Sequence, residues 1–280
     1  MRFDPYHPEI RRAVDSALAE DLGSGDITTN ACIPEALQAE ARFTAKQDLT
    51  LAGVELLELL FENSVVCMHS GDRVRAGEQI ALVPGPARLL LTRERVALNF
   101  LQRLSGIATL AAKFVAAVEG TGVRILDTRK TTPGLRVLEK LASQAGGVVN
   151  YRMGLYDAVL IKNNHIRLAG GVRAAIERAR SMNKPVEVET RTRAEIEDAL
   201  DCGVARILLD NMTPEQAAKE IAFINKRAET EISGGITLEN VRPYAEARPD
   251  FISSGAITHS ATAVDINCGI YAINRFDCAR

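Results

Sequence analysis

The second half of the chain repeats one pattern, in which a short apolar segment rich in Val, Ile and Leu precedes a stretch with helical periodicity. Strands of a parallel sheet are near-continuously apolar because helices cover both faces of the sheet. The segments that fit this pattern lie at 123–127, 147–150, 157–162, 185–189, 205–210, 230–233 and 249–254. Seven such units predict an α/β fold in which strands and helices alternate around a barrel.

Polar residues follow each of these predicted strands. The strand ends read Asp127-Thr128-Arg129-Lys130, Asn150-Tyr151-Arg152, Lys162-Asn163-Asn164-His165, Glu189, Asp210-Asn211, Ser233-Gly234-Gly235 and Ser254-Gly255-Ala256. In an α/β barrel the carboxyl ends of all strands meet at one face, and the active sites of such enzymes lie there. The pattern therefore predicts a functional site at this face.

The residue types at the strand ends indicate an anionic substrate. Arginine and lysine bind carboxylates and phosphates through charge-assisted hydrogen bonds, and they occur here as Arg129, Lys130, Arg152 and Lys162. Mg²⁺ prefers one or two carboxylates together with substrate phosphates. Glu189 and Asp210 therefore suit this ion, whereas the two glycine-containing turns after the last strands suit a phosphate, which backbone N–H groups can bind.

Two histidines, His165 and His259, also follow predicted strands. A general-base role is one interpretation, and a hydrogen-bonded structural role is the other. We assign neither of them to catalysis.

The first part of the chain has a different pattern. Residues 39–83 contain short alternating segments around one helical stretch at 54–61, which predicts a small antiparallel α+β layer. Apolar residues at helical spacing then predict a long helix from Thr92 to Gly120. We expect an N-terminal domain over 1–105 and a catalytic barrel over 106–264.

Composition and charge exclude several classes of protein. The net charge of −2 lacks the basic excess of a nucleic-acid binder. No segment reaches the roughly 20 apolar residues of a membrane span, and the N-terminus lacks a signal-peptide pattern, so we expect a cytoplasmic protein. Five scattered cysteines without C-x-x-C spacing suit a reducing compartment. No two histidines have metal-binding helical spacing, so any metal is expected to have oxygen ligands.

The strand ends lie within motifs that resemble the quinolinate phosphoribosyltransferase family. The motifs are AEDLGSGDITT (19–29), LNFLQRLSGIAT (98–109), ILDTRKTTPGLR (125–136), GLYDAVLIKNNH (154–165), VEVE (186–189), ILLDNM (207–212), ISGGI (232–236) and ISSGAITHS (252–260). They are collinear over nearly the entire chain, and D-T-R-K-T-x-P-G-L-R is highly specific. The resemblance implies an N-terminal α/β sandwich, completed by the tail at 265–280, and an incomplete seven-stranded α/β barrel.

The resemblance also implies an activity in NAD biosynthesis. Enzymes of this family transfer the phosphoribosyl group of phosphoribosyl pyrophosphate to quinolinate and release carbon dioxide and pyrophosphate, which yields nicotinate mononucleotide. The N-ribosylated ring accepts the electron pair that decarboxylation releases, so no pyridoxal or thiamine cofactor is required. Magnesium bound with phosphoribosyl pyrophosphate is the implied cofactor.

Residue roles follow from the same resemblance. Arg129, Arg152 and Lys162 are implied to bind the quinolinate carboxylates, together with Arg95 of the neighbouring subunit in a homodimer or larger homo-oligomer with shared active sites. The implied catalytic residues, which handle phosphoribosyl pyrophosphate and its magnesium, are Lys130, Glu189 and Asp210. The implied 5′-phosphate site consists of Ser233, Gly234, Gly235, Ser254, Gly255 and Ala256. Thr128 and Tyr151 complete the predicted substrate-binding set.

Two positions depart from the family pattern. The chain has Asn150-Tyr151-Arg152 where the family usually reads N-H-R, and Lys162-Asn163-Asn164-His165 where it reads K-D-N-H. Tyrosine keeps a hydrogen-bond donor but carries no positive charge. We therefore predict that Tyr151 donates a hydrogen bond to a substrate carboxylate.

Three alternatives remain open at this point. The chain can be a related phosphoribosyltransferase for another ring acid such as nicotinate, which carbon dioxide release would distinguish. It can be a barrel aldolase in which Lys130 or Lys162 forms a Schiff base, which borohydride trapping would test. It can also be an inactive barrel that senses nucleotides, since a fold alone does not prove activity.

Overall fold

The computed structural model describes residue 4, residues 6–61 and residues 63–273. The chain divides into two compact units, of which the first contains 1–112, 132–147 and 261–280 and the second contains 113–131 and 148–260. The segment 132–147 belongs to the first unit. Within that unit, buried Glu139 accepts hydrogen bonds from the Arg103 side chain at 2.9 and 3.2 Å.

The strands range in length from two to eight residues. In chain order they are β1 (Gln38–Ala45), β2 (Leu49–Thr50), β3 (Val65–Val66), β4 (Arg73–Val74), β5 (Gln79–Pro86), β6 (Arg124–Leu126), β7 (Val159–Ile161), β8 (Val186–Thr190), β9 (Arg206–Asp210), β10 (Glu229–Ser233), β11 (Phe251–Ser253) and β12 (Ile266–Ala272).

The α-helices alternate with the strands in the second unit. In chain order they are α1 (Pro8–Leu22), α2 (Ile27–Cys32), α3 (Leu57–Leu60), α4 (Ala87–Ala117), α5 (Arg136–Ala145), α6 (Asn163–Ala169), α7 (Val172–Ala179), α8 (Arg193–Asp201), α9 (Pro214–Ile224), α10 (Val241–Glu246) and α11 (Ala256–His259). None of the helices in the described residues has the length and apolar character that a membrane span requires.

The first unit is built on an antiparallel sheet with the order β12-β1-β5-β3. Strand β1 alternates between buried and more exposed residues, so that Ala39, Ala41 and Phe43 face the core. The tail strand β12 pairs with β1 along its whole length, from Ala272 opposite Ala39 to Ile266 opposite Ala45. The predicted tail segment continues to 280, and residues 274–280 lie outside the described residues.

The long helix α4 begins at Ala87 and not at Thr92, where its apolar periodicity starts. The intervening residues, Ala87-Arg88-Leu89-Leu90-Leu91, are strong helix formers, so the helix begins directly after Pro86 ends strand β5. The helix ends at Ala117, and Gly120 follows with a positive φ of 80°.

The second unit contains a parallel sheet with the order β6-β11-β10-β9-β8-β7. The predicted α/β barrel is therefore confirmed, and six of its seven predicted strands form as strands. Alternate residues such as Val188, Ile207 and Ile232 are fully buried. The intervening residues of the same strands include Glu187, Arg206 and other polar groups.

The segment predicted as a strand at 147–150 is reduced to a single parallel bridge between Val149 and Leu126. The reason lies in the side chain of Asp127, which accepts hydrogen bonds from the Tyr151 N–H at 2.8 Å and the Asn150 Nδ2 at 2.6 Å. A side-chain carboxylate thus takes the place of strand pairing after Val149. The bridge extends the strand order to seven positions, with 149 at one end and β7 at the other.

Candidate active site

A cavity of about 760 Å³ opens at the carboxyl ends of the parallel strands of the second unit. All the predicted site residues of this unit line it. They are Thr128, Arg129, Lys130, Tyr151, Arg152, Lys162, Glu189, Asp210, Ser233, Gly234, Gly235, Ser254, Gly255 and Ala256. Arg95 lies apart in the sequence, on helix α4 in the first unit, where its side chain is exposed.

The strand order distributes three kinds of group around the cavity. Basic residues follow the two ends of the order, with Arg129 after β6, Arg152 after the Val149 bridge and Lys162 after β7. The acids Glu189 and Asp210 lie at the ends of the adjacent strands β8 and β9. The glycine turns follow β10 and β11, which pair with each other and separate β9 from β6.

The loop that carries Tyr151 and Arg152 is anchored from below by Asp127. This carboxylate is 1% exposed, and its two hydrogen bonds to residues 150 and 151 fix the path of the chain just before Arg152. A buried carboxylate with charge-assisted or close hydrogen bonds holds its partners firmly. Asp127 therefore positions Arg152 at the cavity wall.

His165 supports the loop at Lys162. Its Nδ1 accepts the backbone N–H of Lys162 at 2.9 Å, which closes the first turn of helix α6. The second histidine, His259, lies 2.7 Å from the Ser260 hydroxyl through its own Nδ1. Both histidines line the cavity.

The turn after β10 depends on Gly234. This residue has a φ of 104°, and a Cβ placed on it would lie 2.3 Å from the Asn211 Oδ1 and 2.9 Å from the Asn211 backbone nitrogen. Any larger residue would push the β9 and β10 loops apart. In the neighbouring turn, the Ser254 hydroxyl donates to the carbonyl of Ile236 at 2.7 Å and ties the two glycine turns together.

Glu189 and Asp210 form the acidic part of the cavity. Their side chains are 10% and 12% exposed, and the exposed side chain of Arg191 reaches both of them. Arg191 Nη2 lies 2.6 Å from Asp210 Oδ2 and 3.8 Å from Glu189 Oε1. A cationic group therefore bridges the two carboxylates, as a metal ion would.

The donor set fits magnesium. Within the described residues no group of three or more His, Cys, Asp or Glu side chains is arranged to hold a metal by itself. Two carboxylates that leave other positions for water and phosphate oxygens are what Mg²⁺ prefers, since it keeps several waters and binds substrate phosphates. Glu189 and Asp210 match that preference, and the bridging guanidinium of Arg191 marks the position as one that attracts a cation.

A second acidic pair lies deeper, at Glu187 and Glu231. Their side chains are 4% and 3% exposed, and Arg206 Nη1 lies 3.9 and 3.4 Å from them. Burial raises the pKa of Glu187, and burial together with the charge of Glu187 raises the pKa of Glu231 to about 8. The pair therefore keeps a proton at neutral pH, which limits the negative charge under the cavity.

Tyr151 joins this deeper pair to the cavity. Its hydroxyl donates a short hydrogen bond to Glu187 Oε2, and burial, followed by the charge of Glu187, raises the pKa of Tyr151 well above its ordinary value. In this structure the one phenolic proton is donated to Glu187, so donation to a substrate carboxylate would require this bond to break, and that expectation stays a prediction. Tyr151 still lines the cavity with its ring.

Several residues of the site are not indicated by the strand-end pattern. Glu187 and Glu231 lie inside strands β8 and β10, and Arg206 is the first residue of β9. A signal was present in V-E-V-E and T-E-I-S, where acidic residues alternate with apolar ones in strands that are otherwise buried. Charged residues are almost never buried without partners, so such positions predict an internal polar network.

Family models match the chain in two consecutive parts. Residues 26–105 match the model described as quinolinate phosphoribosyl transferase, N-terminal domain, and residues 107–268 match the model of the C-terminal domain. Together these matches cover most of the chain.

Relatives and solved structures point in the same direction. The chain is 41% identical to quinolinate phosphoribosyltransferase [decarboxylating] 1 of Nicotiana glauca, over 95% of this chain and 84% of the relative. It is 38% identical to NadC of Streptococcus pyogenes, whose crystal structure superposes with a TM-score of 0.92 over 98% of this chain and all of the other. The nicotinate-nucleotide pyrophosphorylase of Ehrlichia chaffeensis gives a TM-score of 0.91 at 36% identity, over 96% of this chain and all of the other.

Proposed function

Because the chain belongs to the quinolinate phosphoribosyltransferase family, we infer that it is a decarboxylating phosphoribosyltransferase of NAD biosynthesis. It transfers the phosphoribosyl group of phosphoribosyl pyrophosphate to quinolinate and produces nicotinate mononucleotide, carbon dioxide and pyrophosphate. The observation that carries this inference is that basic residues, acidic residues and glycine turns surround one cavity in separate groups, which follow the order of the strands in the sheet. The three kinds of group match a dicarboxylate, a metal-bound pyrophosphate and a 5′-phosphate.

The bases are proposed to bind the ring acid. Arg129, Arg152 and Lys162 supply charge-assisted hydrogen bonds, and planar guanidinium groups bind carboxylates in a bidentate manner. Quinolinate carries two adjacent carboxylates, so it uses more of this positive charge than a ring with one carboxylate does. This favours quinolinate over nicotinate as the substrate.

The acids are proposed to hold magnesium together with the pyrophosphate group. When bound, the ion neutralises negative charge that develops on the departing pyrophosphate. Lys130, which lines the same cavity, is proposed to stabilise the same charge. The turns at 233–235 and 254–256 are proposed to bind the 5′-phosphate through backbone N–H groups, and Thr128 contributes through its hydroxyl, which already accepts the Lys130 N–H at 3.1 Å.

The reaction then requires mainly positioning and electrostatics. The pyridine nitrogen forms a bond to the anomeric carbon while the bond from that carbon to the pyrophosphate oxygen breaks. In the ribosylated product, the bond between ring carbon 2 and its carboxylate breaks, and its electron pair stays on the cationic ring. Carbon dioxide leaves, and a proton from solvent replaces it.

A direct assay separates this function from its alternative. Purified protein is incubated with magnesium, phosphoribosyl pyrophosphate and quinolinate labelled in the 2-carboxylate. Labelled carbon dioxide and nicotinate mononucleotide are expected in equal amounts. Nicotinate in place of quinolinate serves as the comparison substrate, and mononucleotide formed from nicotinate alone would overturn the assignment.

Arg95 is proposed to act on the active site of a neighbouring subunit in a homodimer or larger homo-oligomer. The support is its position on helix α4, which precedes every strand of the parallel sheet in the sequence, together with its exposed side chain. Arg95→Ala and Lys162→Ala homodimers are both expected to be nearly inactive. Random pairing of equal amounts then restores about a quarter of all sites, because one site of each heterodimer carries neither change. No recovery in verified heterodimers would assign Arg95 to its own subunit.

A cytoplasmic location is proposed as well. Its support is chemical, since the described cysteines Cys32, Cys67, Cys202 and Cys268 are all free thiols, which suits a reducing compartment. Fractionation of cells that express the chain, followed by immunodetection, tests this proposal.

A further inference from the structure

Arg191 contacts both acids of the cavity, Glu189 and Asp210, and borders a second cavity. The second cavity has a volume of about 510 Å³ and is lined by Arg191, Arg193, Asp210, Asn211, Met212, Gln216 and Glu220. Asp210 and Asn211 border both cavities. The side chain of Arg191 therefore reaches the two acids from a space that has room for a different conformation.

The bonds of Arg191 to the acids are of an exchangeable kind. Nε and Nη2 both donate to the same oxygen, Asp210 Oδ2, at 2.9 and 2.6 Å, so the pair lacks the two parallel bonds of a bidentate contact. The distance to Glu189 is 3.8 Å, and half of the Arg191 side chain is exposed. Ion pairs with an exposed partner are weak, because water competes for both groups.

The backbone of Arg191 is held independently of its side chain. Its N–H donates to Glu195 Oε2 at 2.7 Å, and Thr192, the next residue, caps helix α8. A change in the side-chain torsions therefore leaves the helix start in place. Rotation about those torsions is enough to carry the guanidinium several ångströms away from Asp210.

A metal ion at the two carboxylates changes what is favourable for this guanidinium. Two cations cannot share Glu189 and Asp210 without mutual repulsion. The nearest new anion is then the pyrophosphate that binds to the same metal, and a planar guanidinium suits its oxygens. The positive charge of Arg191, which neutralises Glu189 and Asp210 before the metal binds, is therefore available to the substrate afterwards.

We propose that Arg191 is a positioning residue with two alternative partners: it neutralises Glu189 and Asp210 before magnesium binds, and it turns to the pyrophosphate of phosphoribosyl pyrophosphate once the metal is there. This inference rests on the proposed function, which supplies the metal and the substrate. It gives Arg191 opposite effects on two binding steps. A residue that only stabilised the fold would weaken both.

The test compares Arg191→Gln with the matched control Arg193→Gln. Arg193 is also an exposed arginine that borders the second cavity, but it pairs with Glu220 at 2.6 Å and lies 3.8 Å from the centre of the Phe223 ring. Mn²⁺ binding to the free protein is measured by electron paramagnetic resonance. Binding of phosphoribosyl pyrophosphate with saturating Mg²⁺, and without quinolinate, is measured by calorimetry.

Arg191→Gln is expected to bind Mn²⁺ alone about two- to fivefold more tightly, because a weak competing ion pair is gone. The same variant is expected to bind phosphoribosyl pyrophosphate about tenfold more weakly, because a charge-assisted hydrogen bond is lost. Both affinities of Arg191→Lys are expected to lie between those of the wild type and Arg191→Gln. Arg193→Gln is expected to match the wild type in both measurements.

Two outcomes would overturn the inference. Unchanged or weaker Mn²⁺ binding by Arg191→Gln would mean that Arg191 does not compete with the metal. Unchanged binding of phosphoribosyl pyrophosphate would mean that Arg191 does not turn to the substrate. Failure of the wild type itself to bind phosphoribosyl pyrophosphate would instead reject the proposed function.

Discussion

Two pairs of carboxylates in the second unit lie at different depths below the cavity opening. One member of each pair belongs to strand β8, and these two members are two residues apart. Glu187 and Glu189 both belong to β8, and side chains two residues apart point to the same face of a strand. Glu187 interacts with Glu231 of β10, whereas Arg191 links Glu189 to Asp210 of β9. We call the deeper pair, Glu187 and Glu231, the floor. We call the outer pair, Glu189 and Asp210, the rim.

The two pairs differ in hydration and in their cations. The floor side chains are 4% and 3% exposed and share Arg206, which is 16% exposed. The rim side chains are 10% and 12% exposed and share Arg191, which is 51% exposed. A small difference in depth thus coincides with a large difference in the mobility expected of the shared arginine.

The comparison teaches that the same chemical pair serves two purposes according to burial. At the floor, dehydration raises the pKa values, so the pair retains a proton and acts as neutral structural support. At the rim, water, metal and substrate can all reach the carboxylates, so they remain suited to bind a cation. The number of acids alone does not distinguish the two roles.

The largest expected effect comes from the rim. Asp210→Asn and Glu189→Gln each remove a charge from the proposed metal site without changing side-chain volume. Turnover is expected to fall by about 100-fold or more, a loss typical of a removed electrostatic contact in an active site. The measurement is turnover as a function of magnesium concentration, with the free energy of unfolding as the control for folding. Normal turnover of both variants at limiting magnesium would show that the rim does not hold the metal.

The rim was predictable from the sequence, and the floor was not. Glu189 and Asp210 end their strands, and parallel topology brings strand ends together whatever the details of packing. Glu187 and Glu231 face each other across an intervening strand, so their proximity depends on the register of β8, β9 and β10, which the sequence does not specify. The contacts of Arg191 with both acids likewise depend on the tertiary structure.

Some strand boundaries were also predictable from the sequence, whereas others depend on tertiary contacts. Six predicted strands formed because their apolar runs match the burial of a parallel sheet. The segment at 147–150 has the same composition, but the Asp127 side chain diverts its hydrogen bonds after Val149. A competing contact of this kind depends on tertiary structure and leaves no periodic signal.

The next largest effect is expected at the floor. Glu187→Ala removes the carboxylate that accepts the hydrogen bond of the half-buried Tyr151 hydroxyl and that lies beside Arg206. An unsatisfied buried donor costs about 1–3 kcal/mol, so we expect the free energy of unfolding to fall by about 2 kcal/mol. Glu187→Gln keeps an oxygen acceptor and is expected to lose less. Urea denaturation at pH 7 measures both variants, and equal losses would show that the hydrogen bond to Tyr151 contributes nothing.

The floor also predicts a pH dependence of stability. Glu231 has its pKa raised from 4.5 to about 8 in the folded chain, so the folded state binds more protons than the unfolded state between these values. Stability therefore falls as pH rises from about 4.5 to about 8, by at most about 1.4 kcal/mol per pH unit for one proton. Glu231→Gln cannot lose a proton and is expected to flatten this slope. Urea denaturation at pH 5, 6, 7 and 8 tests it, and parallel curves for the two proteins would contradict the expectation.

The smallest effect concerns the hydroxyl of Tyr151. One substitution can show whether this hydroxyl serves the floor or the substrate. If the hydroxyl serves the floor, Tyr151→Phe lowers the free energy of unfolding by about 0.5–1.5 kcal/mol, the usual value of one hydrogen bond, and leaves quinolinate affinity almost unchanged. If it serves the substrate, the same loss appears in the dissociation constant of quinolinate, as a change of up to about tenfold. The bond to buried Glu187 favours the first result. Calorimetric titration with quinolinate and urea denaturation of the same preparation decide between them, with Tyr151→His as the control that restores the residue typical of the family. A tenfold weaker affinity without loss of stability would show that the Tyr151 hydroxyl serves the substrate.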